Sequence, residues 1–125
     1  IAKRAQRFQG NAGNFRNYAA NMATSSADDN RYELNWRGIE QQIAFVRAHG
    51  VELIYVIAPA ATPRLAAADL AKLRSMAPVL DYSDARTTPE LFDPNHRFDS
   101  SHFNEDGAKQ FSRRLARDVH ELVGH

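Results

Sequence analysis

The sequence predicts an α/β fold, a three-layer arrangement with a parallel sheet flanked by helices, of which this chain supplies the C-terminal half. Apolar residues recur at helical spacing in three stretches, and two short runs rich in β-branched residues lie between them. The two kinds of stretch alternate along the chain, which is the pattern of helices packed on parallel strands. With 125 residues, 43% hydrophobic and 25% charged, there is material for one domain and one core.

Residues 1–31 are read as an irregular N-terminal segment and residues 32–125 as the α/β part. The first segment mixes Arg, Gln, Asn and Ala with isolated aromatics at Phe8, Phe15 and Tyr18, and Gly10 and Gly13 interrupt any helical pattern. Ser25 to Asn30 is polar and turn-rich, a loop. From Tyr32 onward Trp36, Ile39, Ile43 and Val46 recur at spacings of three and four and share one helical face. Gly50 ends that helix as the residue past its C-cap. Trp36 and Phe45 are assigned to the core, and His49 to the negative end of the helix dipole.

Val51 to Ala58 reads Val-Glu-Leu-Ile-Tyr-Val-Ile-Ala, too apolar for a half-solvated strand, so a buried parallel strand is expected. Tyr55 on it should have its hydroxyl bonded. Pro59 and Pro63 bracket the exit loop. A second amphipathic helix follows over Leu65 to Met76, with Leu65, Leu70, Leu73 and Met76 inward, and Pro78 stops it. Val79 to Tyr82 suits a second parallel strand. Ser83 to Ser101 then shows little apolar periodicity and is expected to be a long loop, a feature that in compact domains is usually functional. The last helix is marked by Ala108, Phe111, Leu115, Val119 and Leu122 at steps of three, four, four and three. Asn104 is its expected N-cap, with Glu105 and Asp106 in the first turn. Arg113, Arg114 and Arg117 should form a solvated face.

Composition removes several functions. The 16 basic and 15 acidic residues leave a net charge of +1, and the basic residues are scattered, so no field exists to hold nucleic acid or an anionic membrane. The longest apolar run, Leu53 to Ala61, has nine residues including Pro59, against roughly 20 for a bilayer span. Without cysteine, disulfides, thiolate catalysis and Cys-based zinc sites are excluded. The chain opens Ile-Ala-Lys-Arg, with neither an initiator Met nor the apolar core of a signal peptide, and only two strands are legible. An upstream part of the sheet is therefore expected to be missing.

Ligands of open α/β sheets bind beyond the carboxyl ends of the strands. The Ser83 to Ser101 loop leaves from such an end and leads into Asp99-Ser-Ser-His102-Phe-Asn104-Glu-Asp-Gly107-Ala108. Asp and His three residues apart in a turn can set the carboxylate on the imidazole Nδ1, fixing the tautomer and leaving Nε2 for a nucleophile. The same spacing also arises where both residues only cap and solvate a helix start.

This block, with Phe111 and Leu115 behind it, resembles the C-terminal block of the SGNH (GDSL-type) hydrolases, whose pattern is Asp-x-x-His followed by Asn and Gly-Ala. The resemblance covers residues 32 to 123, and only the final block is specific. It implies a flavodoxin-like three-layer fold and a serine esterase or O-acyltransferase acting on an acyl ester of a carbohydrate or other small alcohol. It implies no cofactor, and for the compartment a bacterial periplasm or a secreted setting. His102 would be the general base and then the general acid, with Asp99 orienting it. The loops Ala60 to Leu65 and Thr87 to Phe98 would border the substrate.

The family's Gly-Asp-Ser nucleophile block and its oxyanion Gly and Asn blocks have no counterpart. Gly10-Asn11-Ala12-Gly13-Asn14 follows no apolar strand and reads as a turn. Ser25, Ser26, Ser75, Ser83, Ser100, Ser101 and Ser112 all lack a strand-to-helix elbow. The nucleophile is therefore expected from an upstream segment or a partner chain. Two other readings stand beside this one. Asp93, His96, Asp99 and His102 recur at steps of three, a carboxylate and imidazole set suited to a divalent metal and to metal-assisted hydrolysis. A catalytically inactive domain that binds saccharide or protein through the same cleft is the third.

Overall fold

The computed structural model describes Gly13 and residues 33–60, 64–99 and 101–124. The readings made for the segment before residue 33, including the Gly10 to Asn14 turn, Ser25 and Ser26, lie outside the described residues apart from Gly13, as do Pro63 and Ser100. In chain order the elements are helix α1 (Trp36–Ala48), strand β1 (Tyr55–Ile57), helix α2 (Ala67–Met76), strand β2 (Val79–Asp81), two 3-10 turns (Pro89–Phe92 and Pro94–His96) and helix α3 (Glu105–Val123). The strands pair in parallel, Tyr55 opposite Val79 and Ile57 opposite Asp81, and α2 is the crossover that a parallel pair needs. The chain is thus a small α/β unit with a two-stranded parallel sheet among the described residues. None of its described helices is long and apolar enough to cross a membrane.

Local chemistry sets the helix ends. Asn35 accepts from the Gly38 N–H at 3.0 Å and starts α1. At the other end Gly50 has φ +68°, its N–H donates to the Arg47 carbonyl, and the Val51 N–H donates to the Val46 carbonyl. These are the two bonds of a Schellman motif, and they use the left-handed conformation that glycine adopts without a Cβ penalty. Ala77 leaves α2 in an extended conformation ahead of Pro78, which has no N–H to continue the helix. Arg47 Nη2 donates to the Met76 carbonyl at 2.7 Å, placing a cation at the carbonyl end of α2. The Tyr55 hydroxyl donates to Gln42 Oε1 at 2.8 Å, so its partner lies on α1.

Side chains of β2 and of the two residues that extend it alternate between two surroundings, as an extended chain requires. Leu80 and Tyr82 join Leu91, Phe92, Ala85, Phe103, Phe111 and Leu115 in the main apolar cluster, which α3 covers. Asp81 and Ser83 instead line a cavity with Leu65, Ala67 and Leu70 around the start of α2. The Tyr82 ring meets Phe111 edge-on, with centroids 5.2 Å apart, and its hydroxyl donates to Asp118 Oδ2 at 2.7 Å. Burial, then the Asp118 bond, pushes the Tyr82 hydroxyl up to about 12.

Several expectations are corrected. The Ser83 to Ser101 stretch is more than a loop: it holds two 3-10 turns, and the first contributes Leu91, 1% exposed, and Phe92 to the centre of the core. β1 is shorter than the predicted strand and is not buried among the described residues, with Val56 42% exposed. Phe45 is 67% exposed rather than in the core, and Trp36 is half-buried beneath Lys72 Nζ, 4.2 Å from its ring centre. Periodicity assigns an apolar face without saying what covers it. On α3, Phe111, Leu115 and Val119 are half-buried while Ala108 and Leu122 at the ends of the stripe are exposed. Arg114 does not belong to a purely solvated face, because it pairs with Asp118 at 2.8 Å and reaches Glu90 at 3.1 Å, tying α3 to the first 3-10 turn.

Candidate active site

The segment Asp93 to Gly107 is built by short-range hydrogen bonds. Asp93 Oδ1 accepts from the Asn95 N–H at 2.9 Å and opens the second 3-10 turn. The chain then reverses: Arg97 and Phe103 form an antiparallel bridge, and the Phe98 N–H donates to the His102 carbonyl at 2.9 Å. Between them Asp99 Oδ1 accepts from the N–H groups of Ser101 and His102, each at 2.9 Å. This is an Asx-type turn, which short acidic side chains favour because the carboxylate replaces a backbone acceptor.

The same oxygen lies 2.8 Å from His102 Nδ1. An ionised carboxylate only accepts, so Nδ1 carries the proton in this contact and Nε2 holds the free lone pair. The side chain of Asp99 is 21% exposed and that of His102 69%. Burial raises the Asp99 carboxyl, but the Ser101 N–H, the His102 ring and the His102 N–H outweigh it and hold the group below its ordinary value. A base oriented by a carboxylate that stays ionised can accept a proton on Nε2 and be stabilised as imidazolium.

Helix α3 starts against this turn. Asn104 is the N-cap, as expected, with Oδ1 accepting from the Gly107 N–H at 3.0 Å, and Glu105 and Asp106 occupy the first turn. Asn104 does more than cap. Its Nδ2 donates to the Asn95 carbonyl at 2.7 Å and its N–H to the His96 carbonyl at 3.0 Å, clamping the second 3-10 turn to the helix start. Gly107 is the residue that lets the two come together: a Cβ there would sit 2.1 Å from the His96 carbonyl oxygen and 2.7 Å from Phe103 Cδ1.

The four residues proposed as metal ligands do not converge. Asp93 with His96, and Asp99 with His102, form two separate pairs, and among the described residues no group of three or more metal-ligating side chains is brought together. His96 Nδ1 is buried 4.0 Å from Asp93 Oδ2, without a hydrogen bond. The step-of-three register aligns side chains only on a continuous helix, and here a three-residue 3-10 turn is followed by an extended bridge. Among the described serines, Ser83 is buried with its hydroxyl on Asp81 Oδ1 at 2.7 Å, and Ser75 donates to the Lys72 carbonyl at 2.6 Å. Ser112 lies exposed on α3, and Ser101 is exposed beside His102 in the turn.

Of the two loops expected to border a substrate, the first does line a cavity. It measures about 190 Å³ and is formed by Arg64, Leu65, Ala67, Leu70, Asp81, Ser83 and Arg86 at the carboxyl end of β2. From the second loop, Thr87 to Phe98, no residue lines it; Arg86, which does, precedes that loop. Asp84 organises this corner, accepting from Arg64 Nη1 and Arg86 Nη2, each at 2.7 Å. The Arg86 bonds come first and, with Arg64, outweigh burial to hold the Asp84 carboxyl down to about 2. A carboxyl depressed in the folded state stabilises the fold above its ordinary value, and that contribution is lost as pH falls through the folded value. Urea midpoints should therefore drop as pH falls from about 4 to about 2, and Asp84→Asn should flatten part of that drop. Equal slopes for the two proteins would refute the assignment.

Arg97 was not singled out by sequence. It is 2% exposed, its Nη2 donates to the carbonyls of Pro59 and Leu91, and its guanidinium lies 4.2 Å from the centre of the Phe103 ring. A charged residue in an aperiodic loop has no sequence signature of burial, and its acceptors are backbone carbonyls. Compared with family models, curated proteins and solved structures, the chain matches none.

Proposed function

We propose that the chain carries the base half of a serine esterase or O-acyltransferase of SGNH type, with the nucleophilic serine supplied from outside it. The observation that carries this reading is the Asp99 Oδ1 to His102 Nδ1 contact at 2.8 Å, in a turn placed between the parallel strands and the last helix. Such an ion-paired turn also occurs as a plain helix start. The hydrolase reading is favoured because one carboxylate oxygen takes both turn N–H groups and the ring, while the ring itself stays open to an incoming hydroxyl. The three-layer arrangement is part of the proposal, supported by β2 turning Leu80 and Tyr82 to the α3 side and Asp81 and Ser83 to the α2 side.

In the proposed reaction His102 Nε2 takes the serine hydroxyl proton as Oγ bonds the acyl carbon, and Asp99 stabilises the resulting imidazolium. The bond from the acyl carbon to the leaving alkoxide then breaks, and the same proton goes to the departing alcohol. Water or a second alcohol, deprotonated by His102, then bonds the acyl carbon, the bond from the acyl carbon to Oγ breaks, and His102 returns the proton to the serine. The substrate class is an acyl ester of a carbohydrate or small alcohol.

The test is covalent. A fluorophosphonate added to this chain, assembled with the segment or partner that completes the sheet, should leave one serine phosphonylated with loss of fluoride, read by intact mass and peptide mapping. His102→Ala should abolish the adduct. Labelling that survives His102→Ala, or an assembled protein that takes no label, overturns the reading.

A further inference from the structure

We infer that Arg97 is the positioning residue for the Asp99 and His102 pair, its guanidinium holding the Arg97 to Phe103 reversal in the register that sets the carboxylate on the ring. The inference rests on the base-half reading above. Three parts of the fold meet at this one side chain. Nη2 donates to the Pro59 carbonyl at the exit of β1 and to the Leu91 carbonyl in the first 3-10 turn, while the planar group lies over Phe103, with Phe92 at 5.5 Å. Phe103 is the bridge partner of Arg97 and the residue immediately after His102. The guanidinium therefore clasps both strands of the reversal, one through its own backbone and one through the stacked ring.

Stability alone is a poor reason for this arrangement. Removing a guanidinium from water is costly, and the two carbonyl acceptors and the stacked ring offset part of that cost. Burial pulls the Arg97 group down to about 10, and the negative charge of Asp99 acts in the opposite sense. The carboxylate that orients the imidazole thus also helps keep this cation in the core, so the two charges favour one another. Arg rather than Lys suits the task, because a planar fork can stack on a ring and serve two carbonyls from a fixed geometry.

Ring 15N shifts of His102, recorded on the full chain above the pH at which the imidazole is charged, report its tautomer. The wild-type chain should show Nδ1–H in excess. Arg97→Met, which keeps an unbranched apolar stem but removes the charge, the donors and the planar group, should lower the Nδ1–H to Nε2–H ratio about tenfold. Arg97→Lys, which keeps a charge and donors without the planar fork, should recover only part of it. Should Arg97→Met fail to fold, Arg97→Lys and Phe103→Leu carry the test, with Phe103→Leu expected to lower the ratio about threefold by removing the stacked ring. A residue serving only packing would change the unfolding midpoint and leave the ratio of the folded chain untouched, and that result overturns the inference. Asp99→Asn separates the two claims. A ratio lowered by Asp99→Asn but constant across the Arg97 and Phe103 variants removes the role of Arg97 alone. A wild-type ring already in the Nε2–H form removes the base-half reading itself.

Discussion

Gly107→Ala should destabilise the chain by on the order of 3 kcal/mol, as measured by urea unfolding, although it replaces glycine by alanine inside a helix. At an exposed helical site that change stabilises by about 1 kcal/mol, because alanine loses less backbone freedom on folding. Here the sign reverses, since the new carbon would lie 2.1 Å from the His96 carbonyl oxygen and 2.7 Å from the Phe103 ring. Neither neighbour can step aside cheaply: the carbonyl already accepts the Asn104 N–H, and Phe103 is packed beneath Arg97 and against Phe111. Gly38→Ala on α1 is the internal control, because its closest contact is the amide nitrogen of the Asn35 side chain at 2.9 Å, so its cost is confined to an adjustment of that N-cap. A cost below about 0.5 kcal/mol at Gly107 would show that α3 does not seat on the second 3-10 turn as described.

On the proposed reading, Asp99→Asn should lower hydrolysis of p-nitrophenyl acetate by the assembled protein about a thousand- to ten-thousand-fold while leaving the fold in place. The asparagine carbonyl can still accept from the Ser101 and His102 N–H groups, so the turn persists. What changes is the charge. The oxygen that faces Nδ1 is then a neutral amide carbonyl, a weaker acceptor that no longer stabilises the imidazolium formed when Nε2 takes the serine proton. A rate within tenfold of wild type, from a protein with an unchanged unfolding midpoint, would remove Asp99 from the proposed mechanism.

What was legible in the sequence is what local chemistry decides. Asn104 and Gly50 sit at helix ends and their capping bonds reach residues three positions away, so their capping roles could be read directly. The Asp99 and His102 pair is equally local, and it formed as the spacing suggested. The core was less accessible. Leu91 and Phe92 are adjacent apolar residues in a 3-10 turn, matching neither the period of a helix nor that of a strand, yet they are the centre of the packed cluster. Arg97 was illegible because its acceptor at Pro59 lies 38 residues away in sequence. The metal-like series failed for a related reason: a fixed step in sequence is a shared face only if one regular element spans it.

The reversal from Arg97 to Phe103 spans seven residues, and each bond that sets Asp99 on His102 is made within it. Closing so short a segment costs little chain entropy compared with pairing groups from distant parts of a fold. The pair can form early, once the chain reverses, and reform quickly after a local opening, on the timescale of small loops rather than of global refolding. Long-range structure then keeps the segment in register once formed, through the bonds of Arg97 to Pro59 and Leu91.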